Sequence, residues 1–267
     1  MDRRRVYSAL VFFPFFYILV RHLPPVAFSA FVALGVLLAQ YEYYRFHFAE
    51  RWSPPVGLGL ALGLFVTTGF AAPGLLSDTA SVTFMVVAVL LSQLLAGREL
   101  KSGFMDTAVV TFGVFYVAWL LGHLILLRNL PEGPFLVFFL FLVTWANDTG
   151  AYYVGTLWGR RPLVPRLSPQ KTWEGLIGGF LGSVAAAFAC RAWFLESLSA
   201  TDILWIGVLL GAAAPLGDLC ESILKRSAGV KDSGAIIPGH GGILDRIDSL
   251  IFTTPTFYYY LLAVRTP

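Results

Sequence analysis

The chain has 267 residues, 57% of them apolar and only 13% charged, with a formal net charge of +3 and a mean hydropathy of +0.72. Soluble domains carry roughly 25% charged residues, so there are too few polar side chains here to coat a water-facing surface, and a soluble globule is excluded. The missing coat is lipid, whose hydrocarbon accepts Leu, Val, Phe and Ala outward; the expected architecture is an all-α, polytopic helical bundle, one membrane domain over residues 1–267.

A helix that crosses a bilayer needs about 20 largely apolar residues. Nine such runs follow one another, at 5–21, 26–44, 55–71, 80–96, 105–127, 134–157, 173–195, 203–224 and 244–264. The third is short and Gly-rich and is the weakest of them, so the count is about nine, with eight as the alternative. Residues 1–130 form an N-terminal helical part, and the chemistry is expected in 134–264. The first run follows Arg3-Arg4-Arg5 as in a signal peptide, but His22-Leu23-Pro24-Pro25 offers no small-residue cleavage site, so an uncleaved helix is expected.

With the N-terminus inside, fifteen of the nineteen Lys and Arg residues fall on the cytoplasmic side, against Arg21, Arg128 and Arg265 outside and Arg191 within the seventh run. Basic connections stay cytoplasmic. The expectation is a multi-pass protein of the cell inner (plasma) membrane with the N-terminus and the active site on the cytoplasmic face. The longest polar connections, 158–172 and 226–243, lie on that face and are rich in Gly, Pro, Lys and Arg. Cys190 and Cys220 sit in apolar runs without a CxxC pair and read as packing residues. His22, His47 and His123 lack an acidic neighbour at ligand spacing and read as interfacial or packing residues.

A carboxylate at the bilayer centre costs about 2.5–3.5 kcal/mol on insertion scales. The chain nevertheless keeps Asp148 in the sixth run, Asp218 and Glu221 one helical turn apart in the eighth, and Asp245 and Asp248 at the same spacing in the ninth. Pairing with a neighbouring Lys or Arg explains any one of them about as well as function does. Acids on three late helices beside two basic loops, taken together, point to a polar cavity open to the cytoplasm. Their hard oxygens suit Mg²⁺, which binds few protein groups and keeps positions for phosphate oxygens.

Gly211 to Gly217 is a small-residue stretch whose Pro215 frees a backbone carbonyl and bends the helix just before Asp218. Pro238-Gly239-His240-Gly241-Gly242 can aim backbone N–H groups at an anion, although a tight interhelical connection uses glycines in the same way. Lys225, Arg226 and Lys231 precede this turn and Asp245-Arg246-Ile247-Asp248 follow it. His240 is placed either to bond a phosphate or to hold the turn's shape. In the other loop, Ser168 and Pro169 read as the cap that opens the seventh helix, and Lys171 beside that helix start makes a second anion site.

From Ser222 to Asp248 the chain resembles the signature of CDP-diacylglycerol synthases, also called phosphatidate cytidylyltransferases. Ser222-Ile223-Leu224-Lys225-Arg226, Lys231-Asp232 and Pro238 to Asp248 carry the resemblance, joined by Asp148 with Thr149, Ala151 and Tyr152, and by the stretch from Ser168 to Gly175. Gln170 departs from it, since a second Lys is expected there. The resemblance implies an enzyme converting CTP and phosphatidic acid to CDP-diacylglycerol and pyrophosphate, dependent on Mg²⁺ with a second cation such as K⁺, working on membrane lipid as a homodimer, with no nucleic acid partner.

On that footing Asp218, Asp245, Lys225 and Arg246 are the expected catalytic set, and Asp218, Asp245 and Asp248 the expected metal ligands. Lys171, Ser222, Arg226, Lys231, His240, Gly241, Gly242 and Asp148 are expected to contact substrate. Membrane enzymes built from the same ingredients, such as a CTP-consuming lipid kinase or a cytidylyltransferase of ether-linked isoprenoid lipids, are not separated from it by residue chemistry. An ion-coupled transporter predicts matched interrupted helices in two halves, and the sequence has none.

Overall fold

The computed structural model describes residues 13–48, 53–74, 78–95, 100–234 and 241–265. Helices account for most of them: α1 (residues 13–21), α2 (Pro25–Tyr44), α3 (Pro54–Ala71), α4 (Asp78–Leu95), α5 (Leu100–Gly113), a π-helical turn (Val114–Trp119), α6 (Leu120–Asn129), α7 (Gly133–Trp158), α8 (Trp173–Phe194), α9 (Ala200–Ser227) and α10 (Leu244–Arg265). Pro at the first turn of α2, α3 and α7 presets the backbone where an N–H would be orphaned anyway. α5, the π-helical turn and α6 run on as one apolar helix, Gly103–Asn129.

Six helices among the described residues are long and apolar enough to cross a membrane, so this is a multi-pass membrane protein. The count falls short of the expected nine for local reasons. Of the first run, residues 5–12 lie outside the described residues, and α1 covers 13–21 alone. The fourth gives a shorter apolar helix, Thr79–Leu95, and α10 opens on Asp245, Arg246 and Asp248, which dilute its apolar length. The third run, weakest by sequence, forms a full candidate span at Pro54–Ala71.

The connection after α7 departs from the all-α expectation. Pro162–Val164 and Ser168–Thr172 pair as a two-stranded antiparallel hairpin, β1 and β2, with a bulge between Pro162 and Val164. Ser168 and Pro169 therefore do not cap the next helix. That cap is Thr172, whose hydroxyl accepts from Gly175 N at 3.1 Å, leaving Ser168-Pro169 extended in the strand. Glu174, in the first turn of α8, accepts from the amides of Arg160 and Arg161 at 3.1 and 3.3 Å and so fastens the start of the hairpin to the helix.

The chain divides into two compact units, one of residues 1–126 and 232–245 and the other of 127–231 and 246–267. In the first, Gln40 Nε2 donates to Tyr44 Oη at 2.9 Å and to Gly59 O at 3.0 Å, joining α2 to α3. Tyr44 Oη donates to Val110 O at 3.0 Å, just before the π-helical turn. His47, expected to lack an acidic partner, lies 2.9 Å from Asp106, whose 59-residue separation hid the pair from any local spacing rule.

In the second unit α7 and α8 approach backbone to backbone, since a Cβ on Gly150 would come within 2.5 Å of Gly178 O. Phe139 stacks on Phe257, Thr144 donates to Thr253 Oγ1 at 3.4 Å and Tyr260 donates to Asp202 at 3.1 Å, which seats α10 against α7 and α9. α9 opens with a capping box between Ser199 and Asp202.

Candidate functional site

The small residues of α9 bring its acidic turn against α10. A Cβ on Gly217 would stand 2.5 Å from Asp248 O, so only glycine allows the two backbones to meet there. The next residue, Asp218, is bonded at 2.5 Å to Lys171 Nζ from β2 and accepts, at 3.5 Å, from Ser222 one turn along. Asp148 of α7 lies within electrostatic reach of Asp218, Lys171 and Arg246 and close to Ser249, while Asp248 is within reach of Asp218, Glu221 and Asp148. Four carboxylates and two cations from α7, β2, α9 and α10 thus share one neighbourhood inside the second unit.

Pro215 has no N–H, which orphans the carbonyl of Gly211 one turn back. Asn147 meets that need. Its Nδ2 donates to Gly211 O at 3.3 Å and to Ser183 Oγ at 2.9 Å, tying α7, α8 and α9 together directly before Asp148. Asn147 is 3% exposed, so its amide is committed to this junction. Sequence reading expected the freed carbonyl and missed the residue that receives it.

Lys225, expected to bind phosphate, pairs with Glu221 Oε2 at 2.6 Å one turn back on α9, and Glu221 is fully buried. Arg226 Nη1 donates to Val230 O at 2.8 Å and its Nε to Leu167 O at 3.5 Å, which closes the end of α9 onto the hairpin turn. Lys231 is exposed. His240 lies outside the described residues. Among the described residues, no three His, Cys, Asp or Glu side chains converge at metal-binding geometry.

Gly241, Gly242 and Asp245 belong to the first unit. Gly241 takes φ +85°, a left-handed conformation open to glycine at little cost. Asp245 Oδ2 accepts from Gly242 N at 2.9 Å and from Ser233 N at 3.0 Å. The following amides, of Ile243 and Leu244, donate to Glu42 of α2 at 3.0 and 2.8 Å. Of the turn's N–H groups expected to cradle a substrate anion, that of Gly242 is engaged by a carboxylate of the protein itself, Asp245, while Gly239 and His240 lie outside the described residues. Asp218 and Asp245, paired by sequence as metal ligands, each have their own partners in different units.

A sequence model described as the cytidylyltransferase family matches residues 3–264. The chain belongs to that family. A phosphatidate cytidylyltransferase of Bacillus subtilis (strain 168) is 35% identical over 265 residues, 97% of this chain and 95% of that protein. One from Haemophilus influenzae is 44% identical over 137 residues, 50% of this chain and 48% of that protein. The uncharacterized protein YnbB of Escherichia coli (strain K12) is 40% identical over 186 residues, 67% of this chain and 60% of that protein. The family match takes in the N-terminal helices as well as the C-terminal half that carries the resemblance.

Proposed function

We propose that the protein is a phosphatidate cytidylyltransferase: CTP and phosphatidic acid give CDP-diacylglycerol and pyrophosphate. The observation that carries this reading is the Lys171–Asp218 ion pair set among Asp148, Asp248 and Arg246. Ionisable groups in a membrane interior are costly and mark working sites, and cations set beside carboxylates that can hold a divalent ion suit polyanionic substrates. The attacking phosphate is already ionised at neutral pH, so the reaction needs anions gathered and aligned more than it needs a base. A phosphatidate oxygen forms the new bond to the α-phosphorus of CTP, the α–β bridging bond breaks, and pyrophosphate leaves with that electron pair.

The donor set fits Mg²⁺, which takes one or two protein carboxylates and completes its shell with water and phosphate oxygens. Asp218 and Asp248 are the residues that would hold it, with Asp148 behind them. Asp245 Oδ2 is engaged by two backbone amides. Bound there, the ion would neutralise charge on the phosphates. Lys171 and Arg246 clamp phosphate oxygens, and Ser222 holds the Asp218 carboxylate in place. A second cation such as K⁺, a homodimer, nine spans, and an inner-membrane protein with its N-terminus and site facing the cytoplasm complete the reading.

The test incubates purified protein with CTP, Mg²⁺ and a defined diacyl phosphatidate and reads the lipid product by mass spectrometry. CDP-diacylglycerol with equimolar pyrophosphate is the expected outcome. A phosphorylated lipid with CDP would make the protein a kinase instead, and turnover confined to ether-linked isoprenoid phosphates would change the substrate. An Asp218→Asn variant with normal turnover at limiting Mg²⁺ would remove the metal assignment.

A further inference from the structure

Glu42 lies on α2, nearly two hundred residues from the glycine turn, and is 2% exposed. Its carboxylate accepts three hydrogen bonds from the segment that opens α10: from Leu244 N at 2.8 Å, Ile243 N at 3.0 Å and Ser233 Oγ at 3.0 Å. The first amides of a helix have no partner within it and carry its positive dipole end, so a buried anion from another helix meets both needs. Ser233 completes the arrangement by accepting from Asp245 N at 3.3 Å.

Two glycines provide separate support. A Cβ on Gly234 would stand 2.6 Å from Glu42 Oε1, and one on Gly242 would stand 2.0 Å from Ser233 Oγ and 2.5 Å from Glu42 Oε2. Neither position requires glycine for a left-handed backbone, since neither has positive φ, whereas Gly241 does. Glycine at 234 and 242 makes room for this carboxylate and for the Ser233 hydroxyl bonded to it.

We propose that Glu42 is a positioning residue for the cytidylyl transfer: an N-terminal helix supplies the anion that fixes the start of α10, and with it the turn that leads into Arg246 and Asp248. The inference rests on the activity proposed above. Glu42 touches no reactant. It acts by setting where the first turn of α10 begins, which decides how the two site residues that follow are presented.

The experiment uses the full chain in detergent with phosphatidate, and compares Glu42→Gln and Glu42→Ala with Gln40→Leu, which disturbs the same helix without touching the turn. Glu42→Gln keeps the shape but replaces an accepting oxygen by a donor facing other donors. The expected result is kcat per folded molecule at least tenfold lower, KM for phosphatidate unchanged, and amide exchange at 242–245 at least tenfold faster than the lowered unfolding midpoint of the variant accounts for. Gln40→Leu should lower the midpoint and leave kcat per folded molecule intact.

Unchanged exchange at 242–245 in Glu42→Gln would overturn the clamp, and so would wild-type kcat in folded Glu42→Gln and Glu42→Ala. Losses that merely follow the folded fraction, as for Gln40→Leu, would reduce Glu42 to a packing residue and overturn the proposal. A wild-type protein that makes no CDP-lipid sinks the activity reading and the catalytic consequence with it, while the exchange data still decide the clamp.

Discussion

Lys171 is half of the closest ion pair at the site, and its removal would leave Asp218 beside Asp148 and Asp248 with Arg246 as the neighbouring cation. Lys171→Met should lower turnover by roughly 100-fold, the scale seen when one preorganised charge-stabilising group is lost. Steady-state rates on protein of verified fold check this, and near wild-type turnover would remove Lys171 from the site. Asn147 makes a different kind of prediction because its partner exists only through Pro215. Asn147→Ala should cost about 1–3 kcal/mol by leaving buried groups unbonded. In a Pro215→Ala background residue 215 regains its N–H and can serve Gly211 O, so the same change should cost about 1 kcal/mol less. Unfolding of the four proteins in one detergent measures the coupling, and additive losses would show that Asn147 does not compensate the proline. Asp148, Asp218 and Asp248 were legible as candidates because acids in apolar runs are conspicuous. Glu42 satisfied the same criterion within Tyr41-Glu42-Tyr43-Tyr44 and was overlooked, since its partners are contributed by the other end of the chain.

At the scale of elements, hydropathy located most helices within a few residues, because lipid imposes a length and an apolar composition that can be read locally. The hairpin of β1 and β2 was not legible in that way. Five residues around Pro169 carry no alternation of apolar and polar side chains, and the pairing depends on Glu174 holding the amides of Arg160 and Arg161 from the far side of the turn. Moving the helix start from Ser168 to Thr172 has a measurable consequence. Thr172→Ala should destabilise the second unit by about 1 kcal/mol and Thr172→Ser should restore it, since an N-cap needs only the hydroxyl. Ser168→Ala should be nearly neutral. Thermal unfolding of the three variants decides between the caps, and a larger loss at Ser168 than at Thr172 would return the cap to the earlier position.

At the scale of the whole molecule, the distribution of basic residues predicts something that helix length alone does not. Six helices satisfy length and composition among the described residues, yet counting the spans as nine collects fifteen of nineteen Lys and Arg on one side. The two statements are compatible physically. A short helix such as Thr79–Leu95, or one with a charged first turn such as α10, can cross where neighbours or local thinning of the bilayer cover its ends. Parity is the testable consequence: an odd number of crossings puts the two ends of this chain on opposite faces. Reporter domains that work only in the cytoplasm, fused in turn to Met1 and Pro267, should be active at the N-terminus and silent at the C-terminus. Reporters inserted after Arg128 and after Lys231 should be silent and active respectively. Activity at both ends would mean an even number of crossings. It would also move the basic residues of 226–243 away from the N-terminal face or require that a predicted span does not cross, and α10, which carries Asp248, would be the first to reassess.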